Sequence, residues 1–315
     1  MADPMLHIKD CYFFEVPKVL WRRDFKSRDE VQQHFPYIPT LTSDYPEATV
    51  ADFNHALSGK IVIPQYFATL KNLYDKQSGF AVSKFMILEV VAAAILIFVF
   101  SRVANLIATG RPPRGKFWNL LEAMLLFVRD QVAVPAMGKH EAERFTPLLW
   151  TMFFFVLTCN LFGLIPWMGT ATGVLAVTVG LALVTFATTI AAGMKQHGFL
   201  GFFKNIVPSM GLPAWLFPLV IVIFFIELIS LCIKHFILSI RLFANMMAGH
   251  LVLLGIMGFI VLTARHGLGT WLPVTGVSVV SSAVFSLLEL FVAFLQAYVF
   301  TFLSALFIGA SVHHH

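Results

Sequence analysis

Long apolar runs separated by short polar links dominate the chain from residue 80 onward. The first run covers residues 85–108, and two more follow at 147–167 and 172–194. Each is long enough to cross roughly 30 Å of hydrocarbon as an α-helix. The link at 166–170 contains proline, tryptophan and glycine. The second and third runs are therefore predicted to form a tight antiparallel pair of membrane spans.

Two further apolar runs in the last third of the chain exceed the length of an ordinary span. Residues 218–263 would measure roughly 69 Å as a helix, and residues 278–310 roughly 50 Å. Either several spans with hidden breaks lie here, or two long, strongly tilted helices form a hairpin in the membrane. The composition slightly favours the tilted helices. The link at 264–276, which is rich in glycine and proline, is predicted to be the turn between them.

Residues 1–79 differ from the rest and are interpreted as a polar N-terminal extension. They hold nine Lys and Arg against ten Asp and Glu, and no apolar run approaches the length of a span. Three prolines between residues 36 and 46 exclude a long helix. The start lacks the pattern of a cleavable secretory signal. Short helices are predicted at 51–57 and 66–74.

The composition makes water an unsuitable main solvent for this chain. Hydrophobic residues make up 58% and charged residues 12%, whereas a soluble domain carries about 25% charged residues. The fold class predicted from these observations is an all-α, polytopic membrane protein. The chain contains neither a nucleotide-binding G-x-x-x-x-G-K-[ST] loop nor an H-E-x-x-H zinc pair. We therefore expect no cofactor, no bound metal and no nucleic-acid partner.

The basic residues of the short links predict the orientation in the membrane. Seven Lys and Arg lie between residues 102 and 144, and Lys195 and Lys204 follow the third run, whereas the link at 166–170 has none. The two basic links should therefore face the cytoplasm, and residues 1–79 the opposite side. Residues 117–134 combine helical apolar spacing with charged positions and are predicted to form an amphipathic helix in the interface.

Polar and titratable side chains interrupt the two longest runs, although a charged group there is disfavoured by about 2.5–3.5 kcal/mol. The spacing of the first four places them on one stripe of a helix, with the fifth nearly opposite the arginine. The remaining two share one face of the last helix. In chain order they are Glu227, Lys234, Arg241, Asn245 and His250, then Glu289 and Gln296.

Several interpretations of these side chains stay open at this point. Glu227 and Lys234 can form an internal ion pair. His250 and Glu289 can merely pair across two helices, but a titratable pair inside a membrane is also what a proton relay needs. Arg241 lies too deep in its run for its head to reach the lipid headgroups, which favours a functional role.

The run SIRLFANMMAGH at 239–250 closely resembles the signature R-L-x-x-N-x-x-A-G-[HE] of subunit a of F-type ATP synthases. The resemblance covers roughly residues 80–312, so nothing carries over to the N-terminal extension. Supporting matches are NLFGLIP at 160–166, Glu227, Lys234 and LQA at 295–297.

The resemblance implies a non-catalytic ion-channel subunit whose two long, tilted helices lie against the rotating ring of c subunits. Arg241 would face the ion-carrying carboxylate of that ring. In some members of the family the histidine and the acid of the relay exchange places. A half-channel open to the non-cytoplasmic side would be lined by Asn245, His250, Glu289 and Gln296; the cytoplasmic half-channel would include Glu227, with Lys234 and Asn160 as supporting polar residues.

The partners implied by the resemblance are the c-ring, the peripheral-stalk b subunits, the remaining ATP synthase subunits and the lipid bilayer. The implied location is a bacterial inner membrane or, as an alternative, the inner membrane of an organelle. A relay that contains His250 favours H⁺ over Na⁺. A stand-alone secondary transporter with an intramembrane Arg241 is the alternative function, but the chain shows no internal repeat. An intramembrane enzyme would lack a nucleophile.

Overall fold

A computed structural model of the chain describes residues 10–42, 44–108, 115–165, 168–206, 217–265 and 267–312. In chain order the elements are β1 (Phe13–Glu15), α1 (Arg28–His34), α2 (Val50–Leu57), β2 (Lys60–Val62), β3 (Ala68–Leu70), β4 (Lys76–Gly79), α3 (Lys84–Ala108), α4 (Lys116–Phe127), a π-helical segment (Val128–Ala133), α5 (Val134–Leu164), a 3₁₀ turn (Ala171–Gly173), α6 (Leu175–Ile206), α7 (Phe217–Thr263) and α8 (Leu268–Val312).

The chain divides into two compact units, and the first extends further than the predicted N-terminal extension. It comprises residues up to Ala93 together with Leu161–Ala171. Strands β1 and β2 pair antiparallel, as do β3 and β4. Helix α1 begins at a Ser27 cap and α2 at a capping box between Thr49 and Asp52. These elements enclose a hydrophobic core of their own that includes Phe13, Val31, Phe35, Ile38 and Leu70.

The helix predicted at 66–74 is wrong, because this stretch begins a β-hairpin. Strand β3 is followed by a reversal in which Lys71 N–H donates to the carbonyl of Asp75. The side-chain Oδ1 of Asn72 accepts hydrogen bonds from the backbone N–H groups of Tyr74 and Asp75, at 2.8 and 2.7 Å. An asparagine that bonds its own backbone two residues on stabilises a turn in preference to a helix. The other predicted short helix, 51–57, lies within α2.

Phe35 provides a direct test of the core in the first unit. Replacing this buried side chain by alanine should destabilise the unit by about 3–5 kcal/mol, because the mutation leaves a cavity among close-packed neighbours. Hydrogen exchange of the full chain should then show lost protection in the amides of α1 and unchanged protection in α7. Tyr66→Ala is the matched control, since Tyr66 is exposed and should leave both unchanged. Equal exchange in the two variants would contradict a packed core around Phe35.

The described part of the chain contains five helices that are long and apolar enough to cross a membrane. The predicted class, an all-α polytopic membrane protein, is confirmed. The candidate spans within these helical segments are Lys84–Ala108, Lys116–Leu164, Leu175–Phe199, Ile221–Thr263 and Leu268–Val312.

The region after the first span is helical but interrupted. Residues 117–134, predicted as one amphipathic helix, cover nearly all of α4, the whole π-helical segment that follows it and the first residue of α5. The second predicted span, 147–167, lies in α5 as far as Leu164, and its last two residues, 166 and 167, lie outside the described residues. Within α5 the helix breaks at Gly138, whose φ of +75° is a left-handed conformation that residues with a side chain rarely adopt. The break separates a short apolar start, residues 134–137, from a polar stretch at 139–144 that precedes the apolar remainder of α5.

Helices α7 and α8 are each continuous over a length of about 70 Å. The predicted turn at 264–276 is too long, because α8 already begins at Leu268. Pro273 lies in only the second turn of α8, so it removes a single backbone hydrogen bond near the helix start. A perpendicular helix needs about 30 Å of length. Apolar helices of twice that length are expected to lie inclined in the bilayer.

The second unit, Ala94–Asn160 with Thr172–His315, packs α6, α7 and α8 against one another. Leu238, Leu242 and Met246 form a buried apolar row on α7. Hydroxyl groups bridge the same helices at two levels. Thr178 of α6 meets Ser239 of α7, and Thr185 of α6 meets Ser304 of α8, each pair of oxygens 3.3 Å apart. The polar groups of these spans therefore bond across helices, as they do in other membrane bundles.

Candidate functional site

Arg241 lies on the exposed side of α7, away from the buried row of that helix. Among the residues that the structure describes, no side chain forms a hydrogen bond or ion pair with its guanidinium. Two helical turns earlier, Lys234 Nζ lies 3.6 Å from Glu227 Oε1, and both side chains are about half exposed. The predicted ion pair is present, whereas the arginine is left available for a partner outside this chain.

Asn245 connects the arginine face of α7 to α8. Its side-chain Nδ2 donates a hydrogen bond of 2.7 Å to Oε1 of Gln296. Asn245 is exposed and Gln296 is buried. Their hydrogen bond therefore lies at the edge of the α7–α8 interface, beside the exposed face of α7. The two residues were predicted on separate helices, and the structure brings them together.

His250 and Glu289 meet across the same pair of helices. His250 Nδ1 lies 3.4 Å from Glu289 Oε1, which is within ion-pair distance although the two atoms do not have hydrogen-bond geometry. Gly249 makes this approach possible, since a Cβ at that position would lie 2.7 Å from Glu289 Oε1. The carboxyl group is buried and His250 is its neighbour, so a proton held by one group can pass to the other with little movement.

Asn160 is fully buried and ties three segments of the second unit together. Its Oδ1 accepts a hydrogen bond of 2.7 Å from the Thr172 hydroxyl. Its Nδ2 donates to the backbone carbonyl of Ala293 on α8, at 3.3 Å. Ala293 lies between Glu289 and Gln296 on the buried face of α8. Asn160 therefore supports the segment of α8 that carries Glu289 and Gln296. Among the described contacts, Asn160 touches neither of these two side chains.

His235 is a buried polar residue on α7 that the sequence analysis did not single out. Its Nδ1 lies 2.9 Å from the carbonyl of Leu231, and its ring contacts Phe186 and Phe307. It also lines an apolar cavity of about 400 Å³ between α6 and α7. A lone histidine in an apolar run gives no signal that distinguishes a packed ring from a functional one, and here the ring is packed between aromatic side chains.

The geometry separates two environments along α7 and α8. Among the described residues, the outer face of α7 carries Arg241 without an ion-pair partner, and the contact between the helices carries an amide pair, Asn245 and Gln296, and a titratable pair, His250 and Glu289. Within the described residues, no group of three or more His, Cys, Asp or Glu side chains could hold a metal ion. These features define a multi-pass membrane protein with its polar chemistry between, and on, two long apolar helices.

The chain belongs to the ATP synthase A chain family, whose pattern matches residues 86–309. ATP synthase subunit a of Myxococcus xanthus (strain DK1622) is 43% identical over 249 residues, covering 78% of each chain. The same subunit of Chloroherpeton thalassium (strain ATCC 35110 / GB-78) is 41% identical over 241 residues, 75% of this chain and 68% of the relative. That of Anaeromyxobacter dehalogenans (strain 2CP-C) is 46% identical over 203 residues, 64% of this chain.

The match spans about half of that last relative, 51% of its length. The family assignment confirms the resemblance seen in the sequence. The chain is a non-catalytic membrane subunit, and its bacterial relatives and apolar helices make it a multi-pass protein of the bacterial plasma membrane.

Proposed function

We propose that this chain is the ion-translocating stator subunit of a rotary F-type ATP synthase. Two offset half-channels carry protons to and from carboxylates on the c-ring, and Arg241 faces that ring between them. The observation that carries the proposal is the exposed, unpaired guanidinium of Arg241 on an apolar helix. A charge in this position is costly in lipid, so it requires a partner of opposite charge from outside the chain.

A fixed cation in a medium of low dielectric constant favours the ionised form of an approaching carboxylate. The ring carboxylate therefore releases its proton as it nears Arg241 and takes one up after it has passed. Arginine suits this role because it stays protonated, whereas a buried lysine loses its proton readily. The same positive charge prevents protons from crossing directly between the two half-channels.

The polar groups between α7 and α8 form the proposed non-cytoplasmic half-channel. Protons pass His250 and Glu289, then the hydrogen-bonded pair of Asn245 and Gln296, and reach the ring near Arg241. On the cytoplasmic side Glu227 takes part in the exit path, and its ion pair with Lys234 holds it in place. Asn160 supports the α8 segment from behind through its bond to Ala293.

The membrane potential supplies about 2.3 kcal/mol per charge for each 100 mV. A single proton is therefore insufficient to form ATP at ordinary potentials, and rotation must combine several. This requires the c-ring, the peripheral-stalk b subunits and the nucleotide-binding subunits as partners. The basic residues of the short links favour a non-cytoplasmic position for residues 1–79. The transporter alternative gains no support, because α7 is continuous through Arg241 and lacks the unwound stretch on which such proteins rely.

Two adjacent residues of α7 test which face meets the ring. Ile237 lies about 40° around the helix from Arg241 and Phe236 about 140°. Both are about equally exposed, 49% and 53%. In the assembled complex with Cys232→Ser, we expect Ile237→Cys to form a disulfide with a cysteine placed beside the ring carboxylate. Phe236→Cys, which borders the α6–α7 cavity, should give less than a tenth of that yield. The reverse order would contradict the proposed interface.

A further inference from the structure

The first half of α8 has an unusual distribution of polarity for a membrane helix. Between Leu268 and Val292 its buried residues are Ser278, Ser282 and Glu289, and all three are polar. Small residues, serine among them, are common where membrane helices meet, and their hydroxyl groups usually find a partner across the contact. The exposed positions in between are large and apolar, among them Val277, Val279, Val280, Val284 and Leu287.

Four side-chain atoms along α8 are buried and have no hydrogen-bond partner among the described residues. They recur every seven residues, so they lie on one stripe of the helix and about 10 Å apart along it. The stripe is about 31 Å long along the helix. The four are Thr275 Oγ1, Ser282 Oγ, Glu289 Oε1 and Gln296 Nε2.

Other hydroxyl groups of α8 behave differently. Ser286, Thr301 and Ser304 each donate to the backbone carbonyl four residues earlier, at 2.8 or 2.9 Å. This is the usual way in which a helix satisfies a hydroxyl group. Ser282 and Thr275 do not use it, although the same carbonyls are within reach of any serine or threonine in a helix. Their hydroxyl groups therefore point to a partner that is neither their own backbone nor a neighbouring side chain.

Buried polar atoms that lack a protein partner are satisfied by ordered water. An interval of about 10 Å between successive groups is bridged by about three water molecules at ordinary hydrogen-bond distances. Ser278 lies between Thr275 and Ser282 on the same face and shortens the first interval. The stripe leads from Glu289 and its neighbour His250 toward the turn between α7 and α8.

We propose that Thr275, Ser278 and Ser282 line the outer section of the non-cytoplasmic half-channel, a water-filled path from the α7–α8 turn to His250 and Glu289. This inference rests on the proposed function and on the orientation in which that turn faces the non-cytoplasmic side. The three residues would form the entrance of the half-channel, and His250, Glu289, Asn245 and Gln296 its inner part. The residues act by holding water in line and do not need to titrate.

Accessibility to silver ions tests the path, because Ag⁺ reacts with thiols in water-filled spaces and enters lipid poorly. The complete ATP synthase in membrane vesicles carries Cys232→Ser together with Ser282→Cys or Val284→Cys. We expect Ag⁺ from the non-cytoplasmic side to inhibit the Ser282→Cys complex at least tenfold faster than Ag⁺ from the cytoplasmic side. Val284, which is 60% exposed two residues further on, should match the Cys232→Ser parent. Equal rates at the two positions, or access only from the cytoplasm, would overturn the inference.

Passive proton conduction supplies the second measurement. Ser282→Leu should lower conduction through the assembled membrane sector at least fivefold, while Ser282→Thr, which keeps a hydroxyl group, retains at least half. Val284→Leu is the matched control for added volume on the lipid side. Conduction unaffected by Ser282→Leu would refute a path along this face. If this inference fails but the proposed function holds, an Arg241→Ala complex still loses coupled ATP synthesis. Retained coupling in that complex would refute the proposed function itself.

Discussion

Arg241→Ala is expected to abolish ATP synthesis driven by a proton gradient while leaving the complex assembled. The reason is electrostatic: without the cation, the ring carboxylate no longer gains from ionising as it passes, and protons can cross between the half-channels without rotation. Arg241→Lys should also lose at least nine-tenths of coupled synthesis, because a lysine in this setting readily becomes neutral. The measurement is ATP synthesis in energised vesicles.

A matched control separates the loss of this charge from the loss of any arginine. Arg129 is exposed and pairs with Asp130 at 2.8 Å, outside the proposed path. Exposed pairs of this kind contribute little, so Arg129→Ala should retain coupled synthesis close to that of the unmodified complex. ATP hydrolysis by the purified complex reports assembly in each case. Coupled synthesis that survives in Arg241→Ala would remove the basis of the proposed function.

The membrane helices are the part of the fold that a single sequence predicts well. Helix α7 is predicted at 218–263 and runs over Phe217–Thr263, because most of its residues are apolar and no proline after Pro218 interrupts its helical backbone. The start of α8 was placed ten residues late. Pro273 and the nearby glycines resemble a turn, but a proline in the second turn costs a helix only one hydrogen bond.

The first unit was harder to predict, because its core is assembled from separated short elements. Phe13, Phe35 and Leu70 lie far apart in the sequence and belong to one core only in the folded unit. Local periodicity over three or four residues does not identify such strands. The balance of charges in residues 1–79 suggested a polar extension, whereas the structure shows a packed core with polar residues around it.

The candidate site shows the same division between local and non-local information. The seven-residue spacing predicted that Glu289 and Gln296 share a face. The same spacing continued backward would have found Ser282 and Thr275, whose hydroxyl groups carry no charge to attract attention. Contacts between helices could not be predicted in this way. The bond from Asn245 to Gln296 depends on the register of α7 against α8, which no periodicity within one helix contains.

Replacing either His250 or Glu289 by the residue type of the other has the second largest expected effect. His250→Glu places two carboxyl groups at a contact of about 3.4 Å, and Glu289→His places two imidazoles there. Two like groups at this distance titrate as one coupled pair, so the contact no longer combines one carboxyl group and one imidazole with separate proton affinities. Each single variant is therefore expected to lower ATP-driven proton pumping about tenfold or more. The double variant His250→Glu/Glu289→His again has one group of each type and should recover at least a third of the original rate.

The double variant distinguishes a coupled pair, which a proton relay requires, from two residues that act independently. If the two residues act as one unit, their effects are far from additive, and the cycle of four rates gives a large interaction term. If each residue acts alone, the double variant falls to the product of the two single effects, about a hundredfold below the original on the tenfold losses expected above. That result would contradict the relay. Because Gly249 leaves room only for the end of the Glu289 side chain, the larger imidazole at position 289 must shift slightly, which is why recovery is expected to be partial. Partial recovery with strong coupling is therefore the specific signature of a relay confined between these two helices.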